Sequence, residues 1–194
     1  RSLNGKPIDS LGKEMKAMVA YFKWITKDIP VDKKPFGAGI FELPFMAKAA
    51  DPQNGKIIFE NKCQRCHQSD GGGVMLPDSS GYIYPPLWGP HSYNVSAGIY
   101  RLTRLAAFIK YNMPFDQTQS SPQLTDEEAW DVAAFISSQP RPEKKFPEDW
   151  PKMEKKPVDY PFGPYADGFS EQQHKYGPFI PIIKAREKKQ NGVK

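Results

Sequence analysis

The chain has 194 residues, 39% of them apolar, with 20 prolines and 15 glycines, which suits one ordinary domain with irregular extensions. The formal net charge is +5, but the basic residues are dispersed. They form no basic helix and no nucleic-acid motif, so nucleic acid is excluded as a partner, and either a solvated basic surface or one that docks acidic partners and anions is left. No run of about eighteen apolar residues occurs, so no membrane span is expected. The chain starts at Arg1 without a visible signal peptide, as a processed, trimmed or excised piece would.

In chain order, the first predicted element is a helix over residues 9–27, DSLGKEMKAMVAYFKWITK, where Met15, Met18, Val19, Phe22 and Ile25 recur at helical spacing. Its MVAYF (18–22) resembles VAAFI at 132–136, so it is either a generic amphipathic helix or the closing helix of an earlier domain of the same kind. Its apolar face is expected to pack on the next domain, on the tail or on a partner segment. Pro30, Pro35, Gly37, Gly39 and Pro44 mark a linker, bounded here as residues 31–50.

Asp51 followed by Pro52 predicts a capped helix start, and Gly55, Ile58, Phe59 and Lys62 follow at helical spacing. That helix leads into Cys63-Gln64-Arg65-Cys66-His67, which contains the chain's only two cysteines. CxxCH is the attachment signature of c-type haem. Two thiols on one turn can add to the two porphyrin vinyl groups, and the adjacent histidine then lies under the iron as proximal ligand. The rivals fit less well. A thioredoxin-like redox pair needs a βαβ context, a structural zinc needs four ligands, and a disulfide across two residues is strained and leaves His67 without a role. Downstream, Gly71, Gly72 and Gly73 predict a flexible turn around the haem edge. In YPPLWG (84–89), the spacing Pro85-x-Leu87-x-Gly89 resembles the cytochrome c segment whose proline carbonyl accepts a hydrogen bond from the proximal histidine. Pro85, Leu87 and Trp88 are therefore candidate cofactor-binding residues.

Met113 is the candidate distal ligand. It follows an apolar helix (Leu102, Leu105, Ala106, Ile109) and precedes Pro114, which ends the helical pattern and predicts an extended Met113. Met75, Lys110 and His91 are the alternatives, and Lys110 could compete for oxidised iron. LTDEEAWDVAAFISSQPRP then predicts a closing helix capped by Thr125 and Glu128 and stopped at Gln139-Pro140. Residues 51–140 thus read as one all-α class I cytochrome c domain with three main helices and long loops. A thin core of this size gains apolar packing from a covalently held haem. Residues 141–194 carry scattered aromatics and prolines, and predict an extended strap lying over both domains, with disorder only in KAREKKQNGVK.

The segments EMKAMVAYFKW, YPPLWGPHSYN, NMP, TDEEAWDVAAFISSQPRP and PFGPYADGFSEQQHKYGPF together resemble the bacterial dihaem thiosulfate dehydrogenase family, over residues 1 to about 182. The resemblance implies two cytochrome c domains and periplasmic oxidation of thiosulfate to tetrathionate, reversed in some members. Chemistry takes place at a first haem with His/Cys ligation, and a second haem relays electrons to redox partner proteins. Carried over by position, Cys63 and Cys66 attach one haem c of the second kind, with His67 and Met113 as its iron ligands. Asn112 stands beside the methionine where some relatives have a lysine, which implies a settled His/Met pair. The first CxxCH has no counterpart here. Residues 1–30 are then the closing helix of an incomplete first domain, and the expected function is the haem relay half. The alternative is complete thiosulfate dehydrogenase activity together with a missing N-terminal domain or a second haem-bearing chain. Arg1, Lys6, Arg101 and Arg104 are candidates for attracting sulfur oxyanions, against ordinary surface charge.

Overall fold

A computed structural model describes residues 8–33, 35, 39, 41–115, 120–143 and 150–192. Arg1, Lys6 and Gly37, named above, lie outside the described residues, as does Phe146 among the tail aromatics. The chain divides into two units, residues 1–40 and 41–194.

In the first unit a turn at Asp9, whose carboxylate accepts the Leu11 N–H, leads into helix α1 (Lys13–Thr26). The periodicity gives the helix, but it buries none of its residues. Leu11 is 78% exposed, Phe22 56% and Trp24 65%.

The second unit forms around a crossing of two helices. Helix α2 (Pro52–Lys62) is capped by the Asp51 carboxylate, which accepts the Gln53 N–H, with proline in the first turn where no N–H is needed. Helix α5 (Asp126–Ser138) begins with a complete capping box, Thr125 and Glu128 each bonding the other's backbone N–H. The two pack at Gly55, where a Cβ would overlap the Asp131 carbonyl oxygen. The buried Asp131 side chain joins them: one oxygen accepts the Asp51 N–H at 2.8 Å and the other the Asn54 amide at 2.7 Å. Phe59 and Trp130 complete this core, at 1% and 2% exposure. Helix α3 (Gln64–His67) is a single turn continuing α2 through Cys63. Strands β1 (Val74–Met75) and β2 (Tyr82–Tyr84) make a short antiparallel hairpin, and helix α4 (Leu102–Asn112) packs its Leu102, Leu105, Ala106 and Ile109 face inward. Among the described residues the unit is all-α apart from this hairpin, which periodicity did not predict because two- and three-residue strands leave no pattern.

Two expectations require correction. The linker ends at residue 40, not 50. Leu43 and Ala50 are buried, the Pro44 carbonyl accepts the Trp130 indole N–H at 3.2 Å, and Phe45 lies edge-on to Phe179. Apolar anchors inside a proline-bearing stretch bind it to the core. The tail is also not a simple strap ending in disorder. It forms helix α6 (Glu171–Tyr176), capped by Ser170, and helix α7 (Ile180–Asn191), which includes most of KAREKKQNGVK. Pro181 sits in the first turn of α7, where proline is compatible with a helix, and good helix formers follow. Buried Ile182 and the Arg186 guanidinium, bonded to Asp167, fix this helix to the unit.

Gly55→Ala is expected to destabilise the second unit by about 2–3 kcal/mol, read as a shift in denaturant midpoint, because the helix crossing must open to admit a methyl group. The Glu128 carboxylate is held below the ordinary glutamate range, first by the Thr125 N–H and then by Lys62. Its contribution is therefore complete above the unfolded value and lost as pH falls through the depressed one. Glu128→Gln should flatten the acid limb of a stability-versus-pH curve by about 1 kcal/mol.

Candidate haem site

Helix α2 delivers Cys63 at its C-terminal cap, and α3 carries Cys66 and His67 on the next turn. Both thiols are free and half-buried. Burial pushes the Cys63 thiol up to about 11, the opposite of the depressed value that a reactive redox thiol needs. Among the described residues no group of three or more His, Cys, Asp or Glu side chains could hold a metal ion, so a zinc site is not assembled.

His67 donates its Nδ1–H to the Pro85 carbonyl at 3.0 Å. That bond fixes the tautomer and leaves Nε2 as the ligating nitrogen. Burial keeps the ring below its ordinary pKa, against an opposing pull from the Pro85 carbonyl, and the neutral form is the one that binds metal. The glycine loop sets this geometry. Gly73 has φ +72°, where a Cβ would overlap the Tyr84 carbonyl, and its N–H donates to the His67 carbonyl at 3.1 Å. The Leu87 N–H donates to the Gly71 carbonyl at 2.8 Å. Tyr84 lies beside His67, ring centroids 6.4 Å apart.

The other candidates fall in distinct places. Leu87 is half-buried against the core, and Trp88 is buried between Phe59 and Phe135 at 5.0 and 5.6 Å. Met113 caps the C-terminus of α4 in an extended conformation (φ −129°, ψ 145°), half-buried against the core. Asn112 is exposed and donates its amide to the Phe108 carbonyl at 2.9 Å, closing the last turn of α4. Lys110 is tied down: its ammonium donates to the Leu124 carbonyl at 2.6 Å and pairs with Asp126 at 2.9 Å. His91 and Met75 are exposed. Arg101 is committed to the fully buried Asp159, and Arg104 lies 3.8 Å from Glu42, so neither is a free cation for an oxyanion. Sequence reading missed half-buried Tyr93 and buried Tyr100 and Arg141, which form one cluster beside this loop. The only local signal is an arginine between two prolines just past a helix end.

A cytochrome c family model matches residues 52–140. The thiosulfate dehydrogenase of Allochromatium vinosum is 39% identical over 142 residues, 73% of this chain and 51% of the relative. That of Psychrobacter arcticus is 40% identical over 154 residues, 78% of this chain and 45% of the relative. Among solved structures, the thiosulfate dehydrogenase of Marichromatium purpuratum in its as-isolated form superposes with a TM-score of 0.61 at 32% identity, covering 80% of this chain and 32% of that one. The chain spans about half the length of the curated relatives it matches.

The cytochrome c domain implies covalently attached haem c, and the donor set fits that group. Two thiols lie on one turn beside an imidazole whose second nitrogen is already engaged. Met75, Leu76, Ile83, Tyr84, Phe108 and Phe115 flank the His67, Pro85 and Met113 segments in sequence and are exposed.

Lys110→Met should lower stability by about 1–2 kcal/mol and leave the oxidised visible spectrum unchanged at neutral pH. A spectral change on substitution would show that the amine reaches the iron in the native protein.

Proposed function

This chain belongs to the thiosulfate dehydrogenase family of c-type cytochromes, and from that premise we propose that it is the haem relay half of such a system, acting in the bacterial periplasm and passing electrons to redox partner proteins. The haem, when bound, supplies the one-electron Fe(III)/Fe(II) couple. Cys63 and Cys66 would hold it by thioether bonds. His67, oriented by Pro85, and Met113 would ligate its iron. Leu87 and Trp88 wall the site. Asn112 secures the end of α4 and so positions Met113. The observation that carries this reading is the 3.0 Å bond from His67 to Pro85, because it presents a neutral imidazole edge one residue beyond a pair of adjacent thiols.

A thioether ligand favours the reduced state relative to a second nitrogen. The pinned ammonium of Lys110 supports a ligand set that does not change with redox state. Two thiosulfate ions release two electrons when they join through a new S–S bond as tetrathionate, so a single-haem relay would carry them one at a time.

The second reading is full thiosulfate dehydrogenase activity completed by a separate haem-bearing chain or a preceding domain. It is favoured by the share of the relatives that this chain spans and by the unburied apolar residues of α1, which would serve as the closing helix of that other domain.

Peptide mass mapping of the matured protein should find one haem on the peptide containing Cys63 and Cys66, and a bare-polypeptide mass would defeat the proposal. Met113→Ala should abolish the weak sulfur-ligation band at the red end of the oxidised spectrum and lower the midpoint potential. Survival of the band would remove Met113 from the iron. Thiosulfate should fail to reduce the haem of the isolated chain. Reduction restored by a co-purifying second haem protein supports the two-component reading, whereas reduction without it would make the chain self-sufficient.

A further inference from the structure

The tail motif PFGPYADGFSEQQHKYGPF, residues 161–179, supplies nothing to the haem site, yet it contains a fully buried histidine. His174 lies in the last turn of α6. Its Nδ1 is 2.7 Å from the Val158 carbonyl oxygen and its Nε2 2.9 Å from one Asp167 carboxylate oxygen. The Phe169 N–H donates to that same oxygen at 3.3 Å. The other oxygen accepts from Nε and a terminal nitrogen of Arg186 on α7, at 3.1 and 2.9 Å. Burial pushes the Asp167 carboxyl up, but the bonds from His174, Arg186 and the Phe169 N–H outweigh it and hold the group below the ordinary aspartate range. Asp167 is therefore ionised and only accepts. Tyr165 stacks on the imidazole, with centroids 3.7 Å apart and planes 13° apart.

A neutral imidazole has one N–H and one bare nitrogen, whereas a carbonyl and a carboxylate offer only acceptors. Either neutral tautomer would set a ring lone pair against an oxygen lone pair, in a place where His174 has no exposed surface. Both contacts are met only by a ring that donates from both nitrogens. We infer that His174 is an imidazolium in the folded chain and that this buried cation latches the tail. One N–H holds Val158, whose neighbour Asp159 accepts from Arg101 and Thr103 at the start of α4. The other holds Asp167, which holds α7 through Arg186. Two residues beyond His174, the Tyr176 carbonyl accepts the Ala50 N–H at 2.9 Å, just ahead of α2. The latch thus closes on segments that brace both α2 and α4. Losing one ring proton leaves acceptor against acceptor, so base opens it. Its contribution is complete at lower pH and is lost as pH rises through the point where the folded ring gives up its proton. The groups that face or flank the ring are Asp167, Tyr165, Tyr160, Arg186, Lys156, Glu171 and Lys175. Asp167 and Glu171 favour the cation, and Arg186, Lys156 and Lys175 oppose it. The Tyr165 phenol stays neutral, because burial and then Glu171 and Asp167 push it up. Lys156 and Lys175 are each depressed first by burial, with Glu171 opposing.

The test uses the full matured chain, kept reduced, with isotopically labelled histidine nitrogens. At about pH 7.5, where an ordinary histidine is mostly neutral, long-range nitrogen–proton NMR correlations should show both ring nitrogens of His174 protonated. Asp167→Asn should turn the ring into the neutral tautomer that keeps its proton on Nδ1, facing Val158. Amide exchange over residues 156–186 is then followed between about pH 6 and 9, corrected for the intrinsic rate and taken relative to α2 and α5 in the same sample. In wild type it should be slow at the acid end and quicken as pH rises. His174→Gln, which removes the charge and one donor atom, should quicken it about tenfold or more at the acid end and abolish its pH dependence. Every other group named is common to the two proteins, so the difference between their profiles belongs to His174. A single ring proton on wild-type His174 overturns the inference, and that spectrum decides the matter even if His174→Gln fails to fold. A doubly protonated ring with tail exchange unaltered in His174→Gln overturns the latch. Neither readout depends on the iron ligands, so either failure leaves the haem reading standing.

Discussion

The close approach of α2 and α5 at Gly55 is the constraint on which the haem domain depends. The missing side chain lets the backbone of one helix rest on a carbonyl of the other. Asp131 then bonds the cap residue and the first turn of α2, so the start of that helix is fixed from the side. Because α3 continues α2 through Cys63, the direction of the haem-binding turn follows from that crossing. A buried acid such as Asp131 would ordinarily be costly. Both of its oxygens are satisfied by N–H donors, and it is the positions of those donors that set the register of the crossing.

The tail closes the unit through buried polar contacts as well as through apolar residues such as Phe179 and Ile182. Asp159, fully buried, accepts from Arg101 and from the backbone and hydroxyl of Thr103 at the start of α4. Lys156 donates to the carbonyls of Phe162 and Pro164 and lies about equally far, 4.9 and 5.0 Å, from the rings of Tyr160 and Tyr165. His174 has acceptors at both ring nitrogens, the Val158 carbonyl and Asp167, and stacks on Tyr165 at 3.7 Å. Such contacts are directional. They specify one path for a segment rich in proline and aromatic residues, where apolar packing alone would admit several. The tail thereby fixes the start of the helix that ends in Met113.

What could be read from sequence was whatever is local. Asp51-Pro52 and the Thr125/Glu128 box mark helix starts because caps act within four residues, and the spacing of Cys63, Cys66 and His67 reflects one helical turn. The Pro85 bond was legible because the spacing Pro85-x-Leu87-x-Gly89 resembles the cytochrome c segment that makes it. The misses have a common cause. Whether Leu43 anchors a linker, and whether Pro181 opens a helix or breaks one, depends on partners far away in sequence. Arg101 reads as surface charge until Asp159, 58 residues later, is found beneath it. Arg141 contacts Leu87, 54 residues earlier, through a backbone carbonyl that carries no sequence signal at all.

These placements separate two kinds of cation. Lys110, Arg101 and Lys62 meet carboxylates, so each is neutralised within the chain. Arg141 is bonded only to backbone carbonyls, and its charge remains uncompensated among the described residues. An uncompensated buried charge acts over a longer range than a paired one, because neither water nor a counter-ion screens it. The net +5 of the chain therefore says little about the haem environment. The Arg141 guanidinium is held against the Leu87 loop, the same loop that aims His67.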